Sequence, residues 1–475
     1  MRSTVIARLG LALCLALPSL VSAAGGPPDL AAGREGADRA RFQATLAESA
    51  ALACGAGGPG TSRAGSPAGA GTLAAKLSRR AIVGDVVEYS TQIRVGAGPH
   101  DVIGLHRVVR EIAPFVPRQS GHALLMAHGD AWGFDAAFLS NLEASSPPEA
   151  ADHALPVFLA ANGIDVWGID FRWTQVPAAT TDFTFMKNWG LTTDAADLGV
   201  ALTVARLFRL ATGDGAERIH LLGWSRGGQT GYVYLNAETK LPKALRQAAG
   251  FIPVDIFLQT DQADLRQAAC ARLAGEQAML DAGTYQSATG TLFDTLGTLA
   301  ASDPGGASPV IPGLTNEQAA LLAGAATYVL LPPGQSFVPF YHFVGGTFDA
   351  QGHPTGLAYA PASAWFTFLT GAAPFEPVKI LADADSILCG KTGLPTGDHL
   401  ANVTVPIFYV GAGGGFGTYG LYTLSLLGSK QVETHVVSLS PAAARALDIG
   451  HVDIYTSTEA QMLFWQPILD WLSTH

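Results

Sequence analysis

One short segment of the sequence combines a nucleophilic side chain with the backbone features that would expose it. Residues 223–228 read GWSRGG, after a short apolar run predicted to be a buried strand and before a predicted helix. Such a turn lifts its serine above the sheet edge, and glycines flank the serine because side chains there would collide with the neighbouring strand and helix. In a chain with 55 glycines the spacing alone is weak. Its context makes Ser225 the candidate nucleophile.

A serine also needs a base that accepts its proton. Six histidines follow Ser225, and His451 is the candidate because it lies in a loop, Asp448–Asp453, between the last predicted strand and the last predicted helix. That loop opens on the carboxyl edge of the sheet, as the serine turn does. Gly450 is expected to let the backbone turn the imidazole toward the serine. The other five lie in a predicted insertion or at its edge, inside a strand, or at the C terminus: His342, His353, His399, His435 and His475.

The acid that would orient the imidazole is less obvious. It commonly follows the strand before the last, predicted at Val405–Val410, but the sequence there continues as GAGGGFG without a carboxylate. Asp255, directly after the predicted strand Gly250–Val254, is the first choice. Asp448, three residues before the candidate base, is the alternative, and Glu433 begins the last predicted strand at the wrong edge.

Acyl transfer also needs hydrogen-bond donors for the oxyanion. The N–H of Arg226 is one candidate, because it follows the nucleophile. The second is the amide of Asp130, which the preceding Gly129 would allow to turn toward the site in the sequence MAHGDAW, residues 126–132. An ordinary strand-to-helix turn is the alternative interpretation of that segment. The Arg226 side chain is expected to pair with a carboxylate such as Asp130 or Asp135.

The elements that must position these residues alternate between strands and helices. Two antiparallel strands, Asp85–Val95 and Asp101–Ile112, are predicted around a Gly-rich turn. Strand–helix alternation then implies right-handed crossovers and a mostly parallel sheet with helices on both faces. The predicted strands are Ala123–Ala127, Ile164–Ile169, Ile219–Leu222, Gly250–Val254, Val405–Val410 and Glu433–Leu439, and the predicted helices are Asp194–Leu210, Gly227–Leu241 and Glu459–Leu472.

The alternation stops after Asp255, the end of the sixth predicted strand. Residues 256–401 are expected to form a large, mainly helical cap over the site, because long excursions inside a compact fold are usually functional. Its helix-like segments are Gln262–Leu280, Asn316–Leu331 and Trp365–Leu369. Its aromatic residues could line an apolar pocket or build the cap's own core: Phe337, Phe340, Tyr341, Phe343, Trp365, Phe366 and Phe368. Residues 81–255 and 402–475 are expected to form the two parts of the core.

The N terminus has the pattern of a signal peptide, residues 1–23. Arg2 and Arg8 flank an apolar run, Leu9–Leu17, and small residues at 21–23 suit a signal peptidase. The run is short for a membrane anchor, which is the alternative. The protein is therefore expected to be secreted, to the periplasm or the extracellular space, without a permanent anchor. Residues 24–80, rich in Ala and Gly, are expected to be a partly flexible extension.

Composition excludes some classes of partner and leaves one disulfide open. The formal net charge of −11 becomes −13 without Arg2 and Arg8, and no Lys/Arg cluster suits a nucleic acid. No CxxC or HExxH spacing suggests a metal. Three cysteines follow the predicted signal peptide, and Cys270–Cys389 is the favoured disulfide over unpaired thiols.

Together these features resemble the α/β-hydrolase superfamily over residues 85–255 and 403–472. Residues 162–172, NGIDVWGIDFR, and Trp189-Gly190 followed by Asp194 and Asp197 are similar to the acid-lipase group of esterases. The resemblance implies carboxylic ester hydrolysis with no cofactor. The chain departs from the group in lacking a carboxylate after Val410 and in its cap sequence.

Three functional hypotheses follow. The leading one is a secreted esterase or lipase that acts on a small or lipid-like ester through an acyl-enzyme, with Ser225, His451 and Asp255 as triad. The second is an aminopeptidase or amidase whose cap acids hold an amine, although such charges are typical of a solvated face: Asp261, Asp264, Glu276 and Asp281. The third is a non-catalytic binding protein, which the intact serine, histidine and oxyanion loop disfavour. The sequence does not indicate an oligomeric state.

Overall fold

A ten-stranded sheet forms the centre of the described chain, which in this computed structural model comprises residues 28–55, 70–144 and 154–475. The predicted signal peptide and residues 56–69 of the predicted extension lie outside the described residues. In chain order the strands are β1 Ser78–Val83, β2 Val86–Arg94, β3 Val102–Ala113, β4 Val116–Pro117, β5 His122–Ala127, β6 Ile164–Asp170, β7 Ile219–Trp224, β8 Ala248–Val254, β9 Gln286–Ser287, β10 Gly346–Phe348, β11 Pro354–Leu357, β12 Glu376–Pro377, β13 Ile407–Ala412 and β14 Val432–Val437.

Most of the main sheet is parallel. Its strand order is β1-β2-β3-β6-β5-β7-β8-β13-β14, with β4 attached to β3. Every neighbouring pair from β6 to β14 is parallel, whereas β1, β2 and β3 extend the other edge as antiparallel strands. The predicted hairpin and the predicted mostly parallel sheet are therefore confirmed, with strand ends that differ by a few residues. Strands β7, β8 and β13 lie side by side, so the segments that follow them meet at one edge.

Helices cover both faces of this sheet. In chain order they are α1 Pro28–Gly55, α2 Ser140–Ala144, α3 Leu155–Ala161, α4 Leu191–Thr212, α5 Arg226–Glu238, α6 Ala263–Asp281, α7 Thr289–Ser302, α8 Asn316–Ala325, α9 Thr327–Leu330, α10 Ala362–Thr370, α11 Val378–Leu388, α12 Leu421–Ser425, α13 Asp453–Thr456 and α14 Gln466–Thr474. Alternate residues of each strand face opposite sides. Leu221 belongs to a core with α1, α4 and α5, and its neighbour Leu222 belongs to a second core with α3 and α14.

The long helix α1 lies in the segment expected to be a partly flexible extension. Four of its residues (Phe42, Leu46, Ala50 and Ala53) are buried in the first core, and the Phe42 ring lies 4.4 Å from that of Tyr89. Ala and Gly between these positions weaken the apolar pattern, which is why the composition alone indicated a loop. Packing of one face against the sheet, rather than intrinsic propensity, stabilises such a helix. Strand β1 also begins inside this segment.

The segment 256–401 contains the six helices α6 to α11 and the short strands β9 to β12, all within the described residues. Helices α6 and α11 pack together and are joined by the Cys270–Cys389 disulfide, so the favoured pairing is present. The expected helix Asn316–Leu331 is broken into α8 and α9 because Ala326 has a non-helical backbone (φ −138°, ψ 41°). Helices α7 and α11 were not predicted. The boundaries of the segment 256–401 as a separate cap remain a prediction.

None of the helices in the described parts of the chain is long and apolar enough to cross a membrane.

The pattern after Trp189 that resembled the acid-lipase group has a structural role. Arg172 donates to Asp197 at 2.6 and 2.7 Å and to Asp101 at 2.6 Å, and so ties the end of β6 to α4. A bidentate guanidinium–carboxylate pair of this kind fixes orientation as well as charge.

Helix α1 provides a test of whether the N-terminal segment is part of the fold. Leu46 is 2% exposed and Leu52, on the same helix, is 50% exposed. Leu46→Ala should lower the free energy of unfolding by about 2–4 kcal/mol, because it leaves a cavity between α1 and the sheet. Leu52→Ala should change it by less than about 0.5 kcal/mol. Chemical denaturation of both variants measures the difference, and equal effects would contradict the packing of α1.

Candidate active site

Ser225 occupies a strained turn between β7 and α5. Its backbone angles, φ 54° and ψ −126°, are rare for a residue with a side chain. A Cβ at Gly223 would overlap the carbonyl of Gly227, and a Cβ at Gly227 would overlap the carbonyl of Ala127 in β5. The expected collisions with helix and strand are therefore confirmed. Strain of this kind persists only where the surrounding structure holds it, and it concentrates at functional sites.

His451 lies in the loop between β14 and α13, where sequence reasoning located it. Its side chain is buried, and its ring stacks on that of Trp224 with 4.9 Å between centroids. Nδ1 lies 2.7 Å from Oδ2 of Asp255, while Nε2 has no hydrogen-bond partner among the described residues. Gly450 has a different role from the one expected: its φ is not positive, and a Cβ there would lie 2.5 Å from the carbonyl of Phe343.

The carboxylate of Asp255 is fully buried and surrounded by hydrogen-bond donors. Oδ1 accepts from the amides of Ala412 and Gly417 at 2.9 and 2.8 Å. Oδ2 accepts from the amide of Phe416 at 3.0 Å and from His451. Asp255 itself has a positive φ of 47°, which turns its side chain out of the line of β8. Donors of this number replace the water that a buried carboxylate loses, so the anion is stable and held in one orientation.

The Gly-rich loop after β13, which lacks the expected carboxylate, supplies those amides. A Cβ at Gly415 would overlap Oδ2 of Asp255, and a Cβ at Gly413 would overlap Oδ2 of Asp448. A Cβ at Gly414 would overlap the ring of His342. The loop is glycine-rich because its backbone wraps closely around side chains from neighbouring segments. The carboxylate that contacts His451 thus follows β8, and the loop after β13 holds it.

Asp448, the alternative acid, has a different set of partners. Its Oδ1 accepts from the amides of Leu439, Ser440 and Ile449 at 2.7 to 3.1 Å, and its Oδ2 accepts from the Ser438 hydroxyl. These bonds close the loop that carries His451. Among the described residues Asp448 makes no hydrogen bond to that imidazole. Glu433 is exposed and lies beside His475. The geometry therefore favours Asp255 as the partner of His451.

The residues predicted to stabilise an oxyanion lie next to Ser225. A Cβ at Gly129 would lie 2.8 Å from Cβ of Ser225, so the loop after β5 touches the serine turn. The amide of Arg226 is in the first turn of α5, where a helix leaves its N–H groups without an i−4 carbonyl. Asp130 and Arg226 line the same cavity as Ser225. Their role as oxyanion donors stays a prediction.

His128 braces the loop that carries Gly129 and Asp130. Its Nε2 accepts from the amide of Phe171 at 3.2 Å, and Nδ1 lies 2.9 Å from the carbonyl of Gly129. One ring nitrogen thus accepts and the other donates, as in a neutral imidazole. Burial lowers the pKa of His128, which agrees with that state. The loop is therefore fixed by a neutral side chain rather than by a second base.

A cavity of about 320 Å³ opens beside Ser225 and His451. Its apolar lining is mostly aromatic: Trp132, Trp224, Phe257, Phe293, Phe337, Tyr341, Phe343 and Phe416. Of the seven aromatic residues noted in the predicted cap, Phe337, Tyr341 and Phe343 line this cavity. Phe340 is exposed, and Trp365, Phe366 and Phe368 are buried in the second core. Some aromatic residues of the predicted cap therefore line a pocket and others are buried in a core, so each of the two interpretations holds for part of the seven.

The same cavity has a charged wall, of which the sequence predicted only the Arg226 pair and Glu276. Arg226 donates from Nε and Nη2 to the Asp130 carboxylate at 2.8 and 2.9 Å, and this is one of the two pairings expected from the sequence. Arg272 pairs with Asp385 at 2.8 and 2.5 Å. Glu376 and Glu276 also line this wall. Of the four cap acids noted from the sequence, Asp261, Asp264 and Asp281 are exposed, and only Glu276 faces the cavity. No spacing in the sequence links these residues, because they come from separate elements.

Glu88, His106 and Asp135 are the one group in the described part of the chain with ligand atoms close enough to hold a metal. Both ring nitrogens of His106 are already engaged, with Glu88 at 2.8 Å and Asp170 at 3.0 Å. Burial alone would lower the pKa of His106, but Asp170 and Glu88 raise it well above its usual value. A protonated imidazole has no lone pair for a metal, so this group is an ion-pair cluster in which Glu88 and His106 are buried and Asp135 is exposed.

Comparison with known proteins identifies the fold. No protein-family model and no curated protein matches the sequence. The structure is similar to that of a candidate lipase from Sulfolobus solfataricus, with a TM-score of 0.54 and 19% identity over 84% of this chain and 99% of that one. This chain has the α/β-hydrolase fold. The fold class predicted from the sequence is thereby confirmed, and at this identity the likeness concerns the fold alone.

Two further solved structures resemble it less. One is a soluble variant of monoglyceride lipase from Saccharomyces cerevisiae, with a TM-score of 0.43 and 10% identity over 85% of this chain and 96% of that one. The other is a thermophilic esterase from Thermogutta terrifontis, with a TM-score of 0.36 and 12% identity over 84% of this chain and 99% of that one.

In this α/β-hydrolase fold Ser225, Asp255 and His451 follow β7, β8 and β14 and converge at the carboxyl edge of the sheet.

The contact between the glycine loop and Asp255 can be tested with one methyl group. Gly415→Ala should lower kcat for a nitrophenyl ester by about 100-fold, because the methyl displaces Asp255 and the imidazole that it orients. Gly305→Ala, where a Cβ meets no atom within 4 Å, is the matched control and should retain full activity. Thermal unfolding checks that both variants are folded. A folded Gly415→Ala enzyme with unchanged kcat would contradict the proposed support of Asp255.

Proposed function

We propose that this protein is a serine hydrolase that cleaves carboxylic esters through an acyl-enzyme intermediate. The observation that carries the proposal is the 2.7 Å contact between His451 Nδ1 and Asp255 Oδ2, with Ser225 half-buried on a strained turn that lines the same cavity. A nucleophile, a base and an acid in this order are the parts that acyl transfer needs. No cofactor enters the proposed reaction.

The reaction begins with proton transfer from Ser225 to Nε2 of His451. The serine oxygen attacks the ester carbonyl, and the amides of Arg226 and Asp130 donate to the oxygen that becomes negative. Asp255 stabilises the imidazolium, which then gives its proton to the leaving alcohol. Water, deprotonated by His451, attacks the acyl-enzyme; the acid leaves, and the imidazolium returns its proton to the oxygen of Ser225. Because Nδ1 donates to Asp255, the proton-accepting nitrogen is Nε2, on the other side of the ring.

The predicted signal peptide supports export before the enzyme acts, in the periplasm or outside the cell. The Cys270–Cys389 disulfide agrees with an oxidising compartment. The aromatic lining of the cavity supports a small or lipid-like ester whose apolar part lies against Phe337 and Phe343. Amide hydrolysis is the second candidate, because the carboxyl groups of Glu276 and Glu376 in the cavity could accept hydrogen bonds from a substrate amine.

Covalent labelling tests the proposed nucleophile. A fluorophosphonate probe should modify Ser225 in the mature protein, because the oxyanion donors and His451 favour attack on the phosphorus. Peptide mass spectrometry identifies the labelled residue. Ser225→Ala should abolish labelling, whereas Ser302→Ala, at an exposed position on α7, should not affect it. An unlabelled wild-type protein, or a label on another serine, would exclude the proposed catalytic role and favour a binding protein.

A substrate panel tests the proposed reaction. Nitrophenyl esters of rising acyl length should be cleaved with higher kcat/KM than aminoacyl nitroanilides, and short to medium chains should be preferred because the cavity is about 320 Å³. Release of nitrophenol or nitroaniline is measured with the Ser225→Ala variant as blank. Higher kcat/KM for the anilides would overturn the ester assignment and establish the second candidate.

A further inference from the structure

The charged wall of the cavity contains more negative than positive groups. Four carboxyl groups lie there: Asp130, Glu276, Glu376 and Asp385, called here the carboxyl cluster. Two guanidinium groups, Arg226 and Arg272, accompany them. Asp130 and Arg226 belong to the core, and the other four residues lie in the segment 256–401 on α6, β12 and α11. Each arginine is paired with an aspartate, so each glutamate remains without a cation of its own.

Every guanidinium nitrogen of the two arginines already donates a hydrogen bond within the protein. Arg226 donates from Nε and Nη2 to Asp130 and from Nη1 to Gln229. Arg272 donates from Nε and Nη2 to Asp385 and from Nη1 to the carbonyl of Gln335 at 3.0 Å. A substrate carboxylate or phosphate would therefore meet positive groups that are each already paired with an aspartate, and further carboxyl groups beside them.

In contrast to the arginines, each of the two glutamates has a buried oxygen that accepts no hydrogen bond from the described residues. Glu376 is 3% exposed, and its Oε1 is buried without a hydrogen-bond partner among the described residues. Oε2 of Glu276 is buried and without such a partner in the same way. Both side chains line the cavity. Each glutamate forms a carboxyl–carboxyl hydrogen bond with an aspartate, Glu376 with Asp130 and Glu276 with Asp385, but these two oxygens have no donor among the described residues. Buried polar atoms are nearly always satisfied in folded proteins, so two such oxygens on one cavity wall indicate a ligand that brings the donors.

The chemistry of that ligand follows from the missing groups. An alcohol would bring one O–H donor and no charge, whereas a primary ammonium brings three N–H donors and a positive charge to a wall with four carboxyl groups and two guanidinium groups. Burial and Asp130 raise the pKa of Glu376 well above its usual value, and burial and Asp385 raise the pKa of Glu276 to about 8. Burial therefore opposes a negative charge on either glutamate, and a bound ammonium ion would compensate that charge.

We propose that the substrate carries a protonated primary amine, which lies between Glu376 and Glu276 while its scissile carbonyl reaches Ser225. The proposal rests on the proposed function for the position of the carbonyl, but the amine site itself does not require catalysis. The aromatic part of the cavity, with Phe293, Phe337 and Phe343, accommodates the carbon chain between the two ends. The site thus selects an aminoacyl or aminoalkyl ester over a purely apolar one.

Binding to the Ser225→Ala protein tests the amine site independently of catalysis. Calorimetric titration compares three ligands of equal chain length: hexylamine, hexanol and hexanoate. Hexylammonium should bind at least about tenfold more tightly than either of the others, because charged hydrogen bonds replace unsatisfied acceptors. Tighter binding of hexanol or hexanoate, or no measurable binding of hexylamine, would overturn the proposal whether or not Ser225 is labelled by the fluorophosphonate.

Two isosteric substitutions locate the site. In the same Ser225→Ala background, Glu376→Gln and Glu276→Gln should each weaken hexylammonium binding by about tenfold. Asp264→Asn, exposed on the same helix as Glu276, is the matched control and should leave binding unchanged. The melting temperature of each variant shows whether it is folded. Unchanged binding in both glutamine variants would place the ammonium elsewhere and refute the proposed site.

Discussion

A buried carboxylate needs hydrogen-bond donors from the protein in place of water, and one short loop supplies most of the donors around Asp255. Three amides from residues 412–417 and the imidazole of His451 surround it. This requirement explains the geometry around it. Strand β13 must lie beside β8, its loop must be rich in glycine to come close enough, and the loop of His451 must pack on the same backbone. The nucleophile turn after β7 then lies next to the pair.

Much of this arrangement could be predicted because its signals are local. Strand–helix alternation indicated the parallel sheet, and the glycines around Ser225 indicated a tight turn whose steric reasons the structure bears out. His451 was distinguished from the other histidines by its loop. The sequence favours Asp255 as the acid because the loop after the predicted strand Val405–Val410 has no carboxylate. The structure adds the physical reason: that loop contributes backbone amides instead of a carboxylate.

The features that escaped prediction depend on contacts between distant segments. Helix α1 is stabilised by packing of four apolar residues on the sheet, and its Ala- and Gly-rich sequence resembles a loop. The carboxyl cluster brings Asp130 together with Glu376, 246 positions later in the numbering, through the fold of the segment 256–401. Gly450 was noted as a turn residue, whereas its small size is needed where Phe343 approaches. Neither composition nor periodicity contains this information.

We propose that Asp255, and not Asp448, orients the imidazole of His451. The most direct measurement is kcat for a nitrophenyl ester in the Asp255→Asn and Asp448→Asn variants, with folding checked by thermal denaturation. Asp255→Asn should lower kcat by about 10⁴-fold, because an amide favours the wrong imidazole tautomer and cannot stabilise the imidazolium. Asp448→Asn should retain kcat within about tenfold, since its bonds only close the loop. Loss of activity in Asp448→Asn with an active Asp255→Asn enzyme would contradict the account.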